Sequence, residues 1–380
     1  MPENEKNKNG RTLPIPEELE PGMPNAPSNH EKDESEEKKN TGHRGVRNFV
    51  PIILSLLLTL IFVPGRLSAQ IEAAVTMQTA YSDNVFQLSE YDLDRFNDDH
   101  PNLDYVNTTD DLNLSARFDL AYPIRYKWYK FTPSLTGTLS QCVSNPEKYR
   151  RDGLFRLRVD RYYWNATVLY GYYPHLYVRE YVDTDGSGEL EPYSYQKNLY
   201  RGDVQVKPVK HATLKLNARY EQLFYNQYFT QYDGNAVTYG LGLRYSFPLF
   251  VLDADYRFRT FDNVNAGDRD ASYESNQYLG SLRLKPMPLS DKHSKGAAWY
   301  PTLSLGLEQR YFQSDDSWYG GRADYVYTTT GELDFVLDRH WNIKLDYTHT
   351  FRNVESPVSE VRRLREYSEN SLSAAVKYSF

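Results

Sequence analysis

A period of two runs through most of this chain. In VTYGLGLRYSF, Val237, Tyr239, Leu241, Leu243, Tyr245 and Phe247 fall on one phase, and Thr238, Gly240, Gly242, Arg244 and Ser246 on the other. Successive side chains of an extended chain point to opposite sides, so the pattern is a strand with one apolar and one polar face. Beyond the turn at Pro248 it resumes, with Leu252, Ala254, Tyr256 and Phe258 against Asp253, Asp255, Arg257 and Arg259. HATLKLNARYE and DLNLSARFDLAY repeat it. After residue 70 no apolar run is long enough to cross a bilayer as a helix, and no long segment has a 3.6-residue period.

The alternating segments are also long. Residues 319–338 alternate almost without a break, through Tyr325, Tyr327, Leu333, Phe335 and Leu337. Strands in soluble proteins usually run about 5–6 residues, whereas a strand that crosses a membrane needs about 9–11. Lipid cannot satisfy an open sheet edge, so such strands must close on themselves. Fourteen strands are expected, at 71–87, 111–123, 127–142, 153–163, 165–181, 193–207, 211–228, 236–247, 249–261, 274–286, 300–313, 319–338, 341–352 and 370–380. The register of 165–181 is ambiguous, because VLYGYYPHLYVREY is aromatic on both phases. The fold class is all-β: a single-chain transmembrane antiparallel β-barrel of about 14 strands, with 12 or 16 as alternatives. Short turns alternate with long polar loops, as periplasmic turns alternate with extracellular loops. Residues 285–300 break that rule, being long where a short turn is due.

Two segments precede the barrel. Residues 1–44 are charged, rich in Pro, Gly and Asn, and too poor in large apolar side chains to build a core, so they read as a disordered extension. Residues 45–69 combine Arg47, an apolar run from Phe49 to Val63 and the small exit LSA, which is the layout of a secretory signal peptide cleaved after Ala69. The apolar run is shorter than the roughly 20 residues of a transmembrane helix. Translation from a non-Met codon at Val46 is an alternative start that would shorten the front. The barrel domain then occupies residues 70–380.

The last residues are ENSLSAAVKYSF, in which Leu372, Ala374, Val376, Tyr378 and Phe380 alternate to a terminal Phe. This strand resembles the C-terminal signature of Gram-negative outer-membrane β-barrels, and TAYSDNVFQLS (residues 79–89) resembles the first strand and loop of porin-like members. The resemblance covers the mature chain as architecture and the two ends as motif. It implies residence in the outer membrane, contact with its lipid, and insertion by the barrel-assembly machinery. It leaves the subfamily unassigned.

The composition agrees with that setting. The chain has 34 Tyr and 17 Phe, and tyrosine suits a surface that meets both water and an apolar phase. A net charge of -7 argues against a general nucleic-acid binder. The single cysteine excludes an internal disulfide and a thiolate cluster.

A pore for small solutes or ions is the leading functional expectation. Its candidate lining mixes signs: Arg117 with Asp119, Arg156 and Arg158 with Asp160, Asp253 and Asp255 with Arg257 and Arg259, Glu308 with Arg310, and Lys344 with Asp346. The alternative is a closed structural or surface-binding barrel in which these charges pair and fill the interior. A barrel-borne hydrolase would need a nucleophile beside a histidine base, and neither His175 nor His349 carries such a motif, so no enzyme activity and no cofactor are expected. The acidic first loop, from Glu90 and Asp92 to Asp111, reads as a solvated face. DTDGSGELE at 183–191 has partial EF-hand spacing, but strand-like flanks, Pro192 and Ser194 replace the helix and the closing Glu. What remains is a bend with a weak divalent-cation site at Asp183, Asp185 and Glu189.

Overall fold

The computed structural model describes residues 71–182, 188–266, 270–289 and 297–380. Asp183 and Asp185, the extension and the signal segment lie outside the described residues.

Among the described residues, sixteen strands form one antiparallel sheet. In chain order they are β1 (Glu72–Ser82), β2 (Asp111–Ala121), β3 (Ile124–Tyr126), β4 (Tyr129–Cys142), β5 (Arg150–Arg161), β6 (Trp164–Val182), β7 (Leu190–Val209) and β8 (Ala212–Tyr225). Then come β9 (Gly234–Ser246), β10 (Phe250–Asn263), β11 (Tyr273–Leu284), β12 (Met287–Pro288), β13 (Ala298–Phe312), β14 (Ala323–Val336), β15 (Trp341–Glu355) and β16 (Tyr367–Ser379). Two of them, β3 and β12, have three and two residues and decorate the turn end, leaving fourteen wall strands. Each wall strand pairs with its neighbours, β11 passes directly to β13, and β1 pairs with β16, so the sheet closes. The chain is a closed fourteen-stranded antiparallel β-barrel.

The strand bounds move mainly at the loop end. Strand β1 stops at Ser82 and β14 starts at Ala323, because Asp83–Leu88 and the residues before Arg322 turn into folded loops. Strand β6 runs unbroken for 19 residues, and its aromatic ambiguity has a structural cause. The β6–β7 register shifts between Tyr173 and Leu176 and again between Tyr177 and Arg179. Each bulge adds a residue and exchanges the two faces. The β6–β7 hairpin also rises further than expected, pairing Tyr181 with Glu191 and Val182 with Leu190. Gly188, at φ +77°, takes the left-handed backbone there, which glycine adopts without a Cβ clash.

The apolar phase lies on the outside. Leu114, Phe118, Leu139, Leu241 and Leu305 are all exposed, Leu305 at 56%. Such a continuous apolar exterior is unstable in water and stable in hydrocarbon. Aromatic rings mark both margins. Trp128, Tyr162, Tyr163 and Trp341 are exposed at the turn end. At the loop end four outward tyrosines share a pattern: the hydroxyl of each meets a polar side chain on the neighbouring segment, two residues nearer the loops. Tyr81 bonds to Asp110 at 3.0 Å, Tyr220 to Asn235 at 3.0 Å, Tyr256 to Asn276 at 2.7 Å and Tyr347 to Asn370 at 2.7 Å. A ring in the apolar layer and a hydroxyl reaching polar groups above it fix the depth of the barrel.

Placing arginine at the outward Leu241, midway along β9, is expected to lower stability in bilayers by roughly 2–4 kcal/mol, whereas Asn217→Gln on the inner face changes it little. Urea unfolding in lipid vesicles measures both.

Candidate functional site

The inner face is polar on almost every strand. The register puts Arg117, Asp119, Arg156, Arg158, Asp160, Asp253, Asp255, Arg257, Arg259, Glu308, Arg310, Lys344 and Asp346 on the phase opposite the exposed apolar side chains. Some expected neighbours are bonded. Arg117 meets Asp119 at 2.8 Å, Arg158 meets Asp160 at 2.7 Å and Arg310 meets Glu308 at 2.8 Å. Others take different partners. Lys344 bonds to Glu332 at 2.8 Å, while Asp346 accepts from the Ser373 hydroxyl at 2.9 Å. Asp253 and Asp255 turn to Lys215 (2.8 Å to Asp255), and Arg244 joins Asp253 at 2.7 Å. Arg259 instead meets Glu221 at 2.5 Å.

Sequence reasoning missed several of these groups, although a signal for some was present. An Arg and an Asp two apart share one face of a strand. Besides Arg117–Asp119 and Arg158–Asp160, this spacing gives Arg150–Asp152, Arg201–Asp203 and Arg322–Asp324, at 2.5, 2.7 and 2.9 Å. The cross-strand partners Lys215, Glu221 and Arg244 carry no such signal. The Lys215–Asp255 contact even spans an intervening strand. Gly242 lies between them in the register, and a Cβ there would overlap the Asp255 carboxylate. Glycine is needed at that inward position because two side chains meet over its backbone.

Nearer the loops the interior becomes aromatic and more densely packed. Asp324 is fully buried and is held by Arg322, which is 4% exposed, and by Arg352. The helix Ser359–Arg365 follows β15, and its Arg365 donates to the Tyr181 hydroxyl at 2.9 Å. Tyr181 lies on β6, separated from β16 by β1, β2, β4 and β5 on the shorter way round the barrel, so the helix reaches across the mouth. Arg365 also covers Trp318, and Tyr181 packs on Tyr193, which packs on Phe229 and Tyr232. Trp318, Val354 and Val361 form a small core under this bridge.

The first loop is not a solvated acidic face throughout. It contains the helix Glu90–Asn97 and a core of Phe86, Leu88, Leu103 and Val106. Asp92 and Asp111 are buried. Asp111 accepts backbone N–H bonds from Val143, Ser144 and Asn145. From β6, Arg179 donates to the carbonyls of Phe86 and Gln87 at 2.9 and 3.1 Å, and lies 3.7 Å from Asp92. Arg363 sits 3.8 Å over the Tyr91 ring, joining the first loop to the mouth helix. Long apolar residues interspersed in an acidic segment are what allow it to fold down rather than remain solvated.

Below this cap, a cavity of about 450 Å³ is lined by the inner faces of β10, β11, β13 and β14, including Asp255, Arg257, Gln277, Ser304, Glu308 and Thr328. The histidines are placed elsewhere. His175 stacks on Tyr149 at 4.7 Å, and His349 bonds to Asn370 on the outer face at 2.9 Å. Among the described residues neither ring is hydrogen-bonded to a serine or a carboxylate. Glu189 is described, while its two proposed cation-binding partners are not.

No family model matches the chain, and no curated protein sequence matches it. Solved barrels resemble it in form. An anion-selective porin from Comamonas acidovorans aligns over 83% of this chain and 100% of its own, at 10% identity and a TM-score of 0.42. The outer-membrane channel DcaP of Acinetobacter baumannii aligns over 83% and 97%, at 11% identity and 0.47. OmpT, an outer-membrane protein of Vibrio cholerae, aligns over 84% and 99%, at 6% identity and 0.44. Likeness at this level concerns overall barrel form and assigns no solute or mechanism.

Two outcomes follow from the mouth geometry. Asp324→Asn leaves the buried Arg322 and the partly buried Arg352 without their carboxylate and is expected to lower stability by about 3–5 kcal/mol in urea unfolding. Lys148, in the short helix Pro146–Lys148, lies 4.4 Å over the Phe86 ring. Burial, aided by Arg179, pushes its ammonium down from 10.5 to about 8. A depressed pKa makes its contribution complete above about 10.5 and lost as pH falls to about 8. Hydrogen exchange in residues 86–106 is therefore expected to slow from pH 8 to pH 10 after correction for intrinsic rates, and Lys148→Met is expected to remove that dependence.

Proposed function

We propose that the protein is an outer-membrane channel for small polar solutes or ions. The observation that carries this reading is the division of the wall: an apolar exterior encloses an inner face that is charged or hydroxylated from the turn end up to the aromatic layer below the mouth. A barrel that only filled itself would need no wet wall along its length, whereas a solute path does. Fixed charges of both signs along the path would screen entering solutes.

The loops favour a second reading. Residues from the first loop, the β13–β14 loop and the helix Ser359–Arg365 join hands across the mouth through Arg179, Arg363 and Arg365. On that reading the barrel is shut from outside and serves as a scaffold or binding surface. The terminal strand carries its own proposal. Leu372 and Val376 face outward and Phe380 is exposed, as recognition by an assembly machinery in the membrane would require.

Planar-bilayer recording of the refolded barrel separates the two. The channel reading expects discrete steps, and it expects Arg365→Ala, which releases the helix from Tyr181, to raise unit conductance about twofold or more. A folded barrel without steps in wild type, with steps only in Arg365→Ala, would instead establish the shut state.

A further inference from the structure

Many charges on the inner wall are neutralised by a partner; of the guanidiniums that are not, Arg283 lies at the turn end of β11, and three others lie together further up the wall. Among the described residues, Arg156, Arg219 and Arg257 make no salt bridge, although carboxylates lie in neighbouring pleats. Each of those carboxylates is already engaged: Asp203 by Arg201 at 2.7 Å, Glu221 by Arg259 at 2.5 Å and Lys197 at 3.7 Å, and Asp255 by Lys215 at 2.8 Å. The three belong to one patch of wall. Arg219 stands directly opposite Arg201 across β7 and β8, and the same register row leads through Leu169 to Arg156. On the other side, Arg219 is opposite Thr238, and Arg257 is opposite Gly240, both on β9. The Thr238 hydroxyl, on a residue only 2% exposed, has no hydrogen-bond partner, and neither does the buried Nε of Arg257.

This arrangement is unfavourable by itself. Like charges directly opposite each other weaken a sheet, and a half-buried guanidinium without a counter-charge adds desolvation. An anion held by these guanidiniums offsets both penalties, because a guanidinium presents paired donors to the oxygens of a carboxylate or phosphate. We propose that Arg219 and Arg257, with Arg156 and the Thr238 hydroxyl, form an anion-holding step in the lumen, selective for solutes that carry a carboxylate or phosphate group. It deepens the channel reading above and names the class of solute that the channel passes.

The test pairs two measurements on the refolded full-length barrel, wild type against R219Q/R257Q. In a KCl gradient across a planar bilayer, the reversal potential gives the chloride-to-potassium permeability ratio, which is expected to fall about threefold in the variant. In detergent, inorganic phosphate is expected to raise the unfolding temperature of wild type above that in chloride of equal ionic strength, and not to do so in the variant. Conducting wild type with an unchanged ratio in the variant overturns the step. If folded wild type does not conduct, the channel reading fails. The phosphate measurement then decides the step alone: stabilisation lost in R219Q/R257Q upholds it, and stabilisation absent from wild type or kept in the variant overturns it.

Discussion

Hydrocarbon offers no partner to a backbone N–H or C=O, and the rest of this molecule depends on meeting that constraint with strands. The joint that meets it is the pairing of β1 with β16, from Ala74 opposite Ser379 to Ser82 opposite Ser371. The Phe380 N–H, bonded to the Ala73 carbonyl at 3.0 Å, extends it. Without this contact between the two ends of the barrel, the fourteen strands would be an open sheet with two unpaired edges. Once it forms, every alternate side chain is assigned to lipid or to the interior. The apolar phase then has no choice but the outside, and the charges have none but the inside.

Inside, charge must be balanced in a confined space. The barrel does this at two ranges. Arg-x-Asp pairs neutralise within one strand, where the pleat already holds the two side chains on one face. Longer contacts such as Lys215–Asp255 cross a third strand over a glycine, and Arg259–Glu221 crosses the same strand nearer the mouth. These bridges make the wall of β8 to β10 a single electrostatic unit. They also consume its carboxylates, which is why the remaining arginines there are left facing the lumen uncompensated.

At the mouth the balance shifts from charge to packing. Arginines again provide the joints, but their partners are tyrosine rings, hydroxyls and loop carbonyls: Arg365 with Tyr181, Arg363 with Tyr91, Arg179 with Phe86 and Gln87. A guanidinium can donate in its plane and stack on its face at once, which lets loops from distant strands meet without a large apolar core. On the channel reading proposed above, movement of these few contacts is the simplest route between a shut and an open barrel.

The strand content was legible because period two is a property of neighbouring residues. The alternation of Leu112–Leu120 or Val237–Phe247 assigns each side chain to a face before any partner is known, and closure then follows from the solvent. Register within β6 was not legible. Its bulges depend on how β5 and β7 sit beside it, and aromatic residues on both phases left no contrast to read. The folded first loop was visible only as scattered Phe and Leu among acids, since no period links Phe86 to Leu103. By itself the sequence determined the wall strands and their two faces, with fourteen favoured over 12 or 16, and it offered part of the inward charge as candidates. The tertiary structure alone decided which of those charges pair, that Arg219 and Arg257 do not, and that the loops meet over the mouth. Such contacts join residues far apart in the chain, and their geometry exists only after the sheet has closed.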